Sequence, residues 1–136
     1  MAQLTCIVVT PEETALESKA DFVALPLFDG EIGLAPGHAP LIGRLGFGEM
    51  RVKVGDKLTR FYVDGGFVEV AGDVVSVLTN RALSASQVDS ATAQTQLQNA
   101  LKLPLQTPEE EEIRDRALAQ ARGQLRVARH VMLDRD

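Results

Sequence analysis

The chain has 136 residues, enough for one domain or for one small domain with an appendage, and enough to build a core without disulfide or metal staples. Its formal net charge of −5 and its 4% aromatic content, with no tryptophan, exclude general nucleic-acid binding, which needs clustered cations and stacking platforms. The single cysteine, Cys6, excludes an intrachain disulfide framework and zinc-finger spacing.

From Leu4 to about Leu83 the pattern is one of short strands separated by turn chemistry. Leu4–Val9 is apolar and β-branched, and Thr10-Pro11-Glu12-Glu13 ends it. Cys6 alternates there with Leu4 and Val8, so it reads as a small buried hydrophobe. Phe22–Leu27 is a second run, closed by Asp29-Gly30. In Glu49–Val54, the residues Met50, Val52 and Val54 alternate with Arg51 and Lys53, a period of two that buries one face and wets the other. Gly55-Asp56 leads into Lys57–Val63, and Gly72-Asp73 joins Phe67–Ala71 to Val74–Leu78. Two-residue loops opening on glycine suit type II′ hairpin turns. Asp64-Gly65-Gly66 reads as another tight reversal. Strands of this length and spacing predict an antiparallel β-sandwich or barrel.

Between these strands lies the most shaped stretch of the chain, Asp29 to Ile42. Gly33, Pro36, Gly37 and Pro40 fix its backbone, while Ile32, Leu34, Leu41 and Ile42 offer burial. His38 sits between Gly37 and Ala39, where small neighbours leave the imidazole unshielded. The spacing predicts a stiff loop between short strands.

After Arg81 the composition changes. Ser86-Gln87-Val88-Asp89 reads as a helix start capped by Ser86, with Ala93, Leu97, Ala100 and Leu101 at helical spacing as far as Lys102. Leu103-Pro104 breaks it. Thr107-Pro108-Glu109-Glu110 opens a second helix, with Thr107 as cap, Pro108 in the first turn and Glu110 completing a capping box. That helix runs to about Met132, with Gly123 as a weak interior point. Its apolar stripe is Ile113, Ala117, Ala121, Leu125, Ala128 and Met132. Each alanine methyl contributes only about 0.8 kcal/mol against roughly 1.5–3 for leucine, so the two helices form an antiparallel hairpin tied weakly to the sandwich. Arg122, Arg126 and Arg129 share a neighbouring stripe, readable as a solvated face or as a surface for an acidic partner.

No motif in the sequence builds an active site. The two histidines, His38 and His130, lie far apart, and no His-x-His, His-Glu-x-x-His or Cys-x-x-Cys spacing offers a metal site. There is no Walker-type glycine loop and no nucleophile elbow. No apolar run approaches membrane-spanning length, and the N-terminus lacks the layout of a signal peptide.

The segment Gly-Glu-Ile-Gly-Leu-Ala-Pro-Gly-His-Ala-Pro-Leu at 30–41 resembles the characteristic loop of the epsilon subunit of rotary F-type ATP synthases. The resemblance extends to Val8-Val9-Thr10-Pro11-Glu12, to Val63-Asp64-Gly65-Gly66-Phe67-Val68-Glu69-Val70 and to Val75-Ser76-Val77-Leu78-Thr79-Asn80-Arg81-Ala82. It implies a sandwich over residues 1–84 and a regulatory helical hairpin over 85–136. It further implies a noncatalytic subunit of the central rotor, without a cofactor, peripheral to an energy-transducing membrane. The cytoplasmic face of a bacterial plasma membrane is the expected setting.

In such a subunit the sandwich joins the gamma subunit to the c-ring. Glu31 and His38 then fall at that junction, with Glu31 facing basic c-ring residues. The hairpin hinders ATP hydrolysis when it extends into the catalytic head, so the resemblance assigns Arg122, Arg126 and Arg129 to an acidic segment of the beta subunit. An alternative within the family is a nucleotide sensor with an Ile/Leu-Asp-x-x-Arg-Ala motif at the first helix. Asp89 and Ala93 match that motif, whereas Thr92 stands where it has arginine, and the expectation is weak or no ATP binding.

Overall fold

Alternation decides which face each strand buries, and it places the core of this protein early in the chain. The computed structural model describes residues 2–133. Eight strands precede the helices: β1 Leu4–Val9, β2 Thr14–Ala20, β3 Phe22–Leu27, β4 Gly30–Leu34, β5 Leu41–Val54, β6 Lys57–Ala71, β7 Val74–Leu78 and β8 Ala82–Ser84. They hydrogen-bond in the order β2-β1-β7-β6-β5-β3-β4, with β8 paired to β6. Leu4, Cys6 and Val8 point inward with Val75 and Val77, Val68 and Val70, Met50 and Val52, and Val23 and Leu25. Burial pushes the Cys6 thiol up to about 12, so it packs as an inert hydrophobe.

The expected antiparallel sandwich forms with one exception, because β1 runs parallel to β7. The stretch 30–42 is more strand than loop: β4 and β5 take its ends, and only residues 35–40 remain irregular. That short loop is held by the Gly37 amide, which donates to the Asp73 carboxylate at 2.7 Å. Gly55 has φ +59°, the mark of the expected turn, but Gly72 and Asp73 both have φ near +60°, so their turn is type I′ and not type II′.

Asp64-Gly65-Gly66 does not reverse the chain. β6 runs through it and bends, passing from β8 as neighbour to β7. Gly65 and Gly66 take φ values of +69° and +108°, and a Cβ on Gly66 would collide with the Leu78 carbonyl oxygen. The glycines therefore serve a bend at close backbone approach.

A 3-10 turn at Ala85–Gln87 leads to α1, Ser90–Leu101, and α2, Pro108–Leu133. Ser86 lies inside the turn and is not the cap. Val88 is extended, and Asp89 caps α1 by accepting the Ala91 amide. Thr107 caps α2 as expected, accepting the Glu110 amide at 3.1 Å. The two helices fold back on each other, and α2 lies across β5 and β6.

The buried face of α2 differs from the stripe read in the sequence. It comprises Leu118, Ala121, Gly123, Gln124, Val127 and Ala128, while Ile113 is exposed, as is Leu101 at the end of α1. Because α1 covers one side of α2 and the sheet another, the buried surface is wider than a single stripe and begins only where both reach it. Ala117 and Leu125 are half-buried. Met132 lies outside the residues whose side chains are described.

Candidate functional site

With Met50 and Val52 turned into the core, the intervening Glu49 and Arg51 must face the opposite side of β5. The register sets Glu49 across from Tyr62 and Arg51 across from Arg60, and places Phe47 beside Asp64. This outer face of β5 and β6 is the one that α2 covers. A helix has thus settled on a polar surface, and the contacts are chosen accordingly.

Glu49, only 4% exposed, is the centre of the first contact. Its carboxylate accepts hydrogen bonds from Arg60 at 2.8 Å and Arg51 at 3.2 Å, and the Nδ1 of His130 on α2 lies 2.6 Å from its other oxygen. A buried carboxylate is tolerated only when paired in this way. Arg51 then reaches across β3 to Glu31, binding it in bidentate fashion at 2.7 and 3.0 Å. Across from Arg51 on β3 stands the small residue Ala24, while the space over Gly33 on β4 is taken by the Phe22 ring.

The second contact lies farther back along α2. Gln120 donates to the buried Asp64 carboxylate at 3.0 Å, and the Tyr62 hydroxyl donates to the same oxygen at 3.0 Å. Burial, with Asp64 beside it, pushes the Tyr62 phenol up, while a hydrogen bond with Gln124 acts against that rise. Between the two polar contacts sits Gly123, with its missing Cβ position 3.0 Å from both the Phe47 carbonyl oxygen and the Tyr62 ring. The glycine that reads as a weak point of the helix is where the helix rests against the sheet with no room for a side chain.

The residues singled out from sequence divide between places. Glu31 lies in β4, not in the loop, and its pKa is held below the ordinary carboxylate range by the Arg51 hydrogen bonds, helped by the charges of Arg126 and His130. Arg126 and Arg129 line, with Glu31, Glu49 and His130, a groove of about 970 Å³ between the sandwich and α2. Arg122 is exposed on the same helix and does not line the groove.

The structure therefore brings Glu31 and Arg126 together and leaves His38 apart. His38 lies beyond the other end of β4, with Nδ1 2.7 Å from the Ala39 carbonyl oxygen. Asp89 also lies outside the groove, at the start of α1. It accepts from the Thr92 hydroxyl and the Ala91 amide, which together lower its pKa. Glu49, His130, Tyr62 and Asp64 are the residues that sequence reasoning passed over.

A second surface lies near the bend of β6. Val9 pairs with Leu78, Leu78 with Phe67 and Phe67 with Arg44, so the four share one outer row. The Arg44 guanidinium continues it by stacking 4.5 Å over the ring of Phe28. Phe28 is 69% exposed, Phe67 60% and Leu78 55%, and Ile42 nearby is 77% exposed. This contiguous apolar band is of the kind that marks a protein interface. Among the described residues no helix is long and apolar enough to cross a membrane.

The family model for the ATP synthase delta/epsilon chain β-sandwich domain matches residues 3–85. The chain belongs to the ATP synthase epsilon-chain family. It is 51% identical to the ATP synthase epsilon chain of Rhodopirellula baltica over 93% of its length and 98% of that relative's. It is 42% identical to that of Carboxydothermus hydrogenoformans over 74% of its length and 76% of the relative's. Its fold is similar to a chain in the Euglena gracilis mitochondrial ATP synthase OSCP/F1/c-ring assembly, with a TM-score of 0.73, 22% identity and coverage of 98% and 82%. It is equally similar to one in the central stalk and c-ring of the Tetrahymena thermophila enzyme, with a TM-score of 0.73, 12% identity and coverage of 93% and 97%. The match to the family model stops where the helices begin, whereas the Rhodopirellula relative is alike through almost the whole chain.

Proposed function

We propose that this protein is the noncatalytic epsilon subunit of a rotary ATP synthase, seated on the central rotor by its sandwich and regulating hydrolysis with its helical hairpin. The observation that carries the seating is the apolar band of Val9, Leu78, Phe67 and Phe28. Those side chains are stable in water only at a cost, and burying them against a gamma subunit recovers about 25 cal/mol for each Å² covered. Arg44 and, at the edge of the same hollow, Arg116 give the band a polar rim.

Glu31 and the loop carrying His38 would then face the c-ring at the membrane surface, on the cytoplasmic side in a bacterium. Apart from Leu118 and Val127, the hairpin is held by polar contacts and small side chains, so water can replace much of what it loses on leaving. That is the condition for two states separated by a few kcal/mol. Released, its exposed Arg122, Arg126 and Arg129 would be free to pair with an acidic segment of the beta subunit.

Phe67→Asp places a charge in the middle of the band while leaving the core untouched. It is expected to abolish capture of the chain by immobilised gamma subunit, with an unchanged circular dichroism spectrum. Undiminished capture of the folded variant would remove the band as the seat.

A further inference from the structure

Glu31 on β4 reaches His130 on α2 through two intermediaries. Arg51 is shared between Glu31, at 2.7 and 3.0 Å, and Glu49, at 3.2 Å. Glu49 in turn holds Arg60 and His130. One end of this chain is a half-exposed surface carboxylate, and the other is the C-terminal part of the hairpin. We propose that Glu31–Arg51–Glu49–His130 is a relay, through which a lysine or arginine of a partner that pairs with Glu31 loosens α2 from the sandwich.

The direction follows from the charges. A cation that takes Glu31 displaces Arg51, whose remaining acceptor is Glu49. Glu49 already accepts from Arg60, so a second closely held guanidinium neutralises it and weakens its attraction for His130. The same cation also opposes Arg126, whose charge favours ionised Glu31 from the α2 side. Both effects detach the same end of the helix. Coupling of this kind is reciprocal, so a docked α2 also weakens the hold of Glu31 on its partner. The relay is intramolecular, and it rests on the proposed function only for the identity of the cation's owner.

Hydrogen exchange of the full chain tests it, comparing wild type, Glu31→Gln, His130→Gln and the double variant, with β1 amides as reference for global stability. Both positions are partly exposed, so both variants should fold. Relative to β1, Glu31→Gln is expected to speed exchange at α2 amides 124–131 about threefold or more, and to add less once His130 is replaced, the remainder being the lost attraction to Arg126. A tetralysine peptide should speed the same amides in the wild type and not in Glu31→Gln. The relay is overturned if Glu31→Gln leaves α2 exchange unchanged, if its effect is undiminished in the His130→Gln background, or if the peptide acts equally on Glu31→Gln. Loss of gamma binding in the Phe67→Asp variant is a separate readout, so either reading can fail without the other.

Discussion

Gly123 of α2 rests against the Phe47 carbonyl oxygen so closely that a Cβ would sit 3.0 Å from it, with the Tyr62 ring equally near on the other side. Backbone cannot yield as a flexible side chain can, so Gly123→Ala must lift the helix or shift β5. Alanine gains about 1 kcal/mol of helix propensity over glycine, and overpacking costs about 1–3 kcal/mol. The expected outcome is a hairpin that stays helical by circular dichroism but docks more weakly, by up to about 2 kcal/mol. Faster exchange of α2 amides at constant helicity is the readout, and slower exchange would show that the contact has slack.

The Glu31–Arg51 pair predicts how docking responds to acid. The folded-state pKa of Glu31 is lowered, chiefly by its hydrogen bonds from Arg51. A depressed carboxylate contributes stability that is fully present above its unfolded value, about 4.3, and is lost as pH falls through the folded value. The difference in α2 exchange protection between wild type and Glu31→Gln should therefore stay constant between pH 5 and pH 7, and the two should converge only well below about pH 4. With Glu31 about half exposed, the difference is small. Convergence near neutrality would place the effect elsewhere.

Asp89 predicts the response to nucleotide. Its carboxylate is engaged by Ala91 and Thr92 at the head of α1, and the Thr92 position, where the motif has arginine, presents a hydroxyl turned to Asp89 and no guanidinium. Isothermal titration of the full chain with ATP should give no saturable heat. Micromolar affinity would revive the sensor reading. Thr92→Arg, which restores the missing cation, is the natural companion variant.

The strands were legible because their alternation is strong: Leu4, Cys6 and Val8 announce a buried face, and so do Met50 and Val52. The helix start at Thr107-Pro108 was legible because capping chemistry is local. What escaped depends on register. Glu49 looks like one more wet residue at the head of a strand, and only its pairing with Tyr62 and the helix laid over both make it a buried centre. Likewise Gly65-Gly66 looks like a turn unless one knows that β6 continues to β7. The hairpin's stripe was misjudged at Ile113 because periodicity identifies an apolar face but not how far along the helix a partner extends.

Of the candidate residues, Glu31 and Arg126 were found separately in the sequence, as a rotor contact and as part of an arginine stripe. Their proximity comes from Arg51 reaching across β3 to Glu31 on β4, and from α2 lying on β5. No local pattern encodes that meeting. His130 stands next to Arg129 in the sequence, and only the packing of α2 on β5 brings it to Glu49.

The central claim is that the hairpin is a releasable brake carried by a rotor-bound sandwich. ATP hydrolysis by the assembled enzyme measures it most directly, comparing the intact chain with one truncated after Ala85, which keeps β8 and removes both helices. The account predicts that the truncated chain still assembles and that hydrolysis rises. Assembly with unchanged hydrolysis would contradict it, leaving the sandwich as a coupling element and the helices as packing alone.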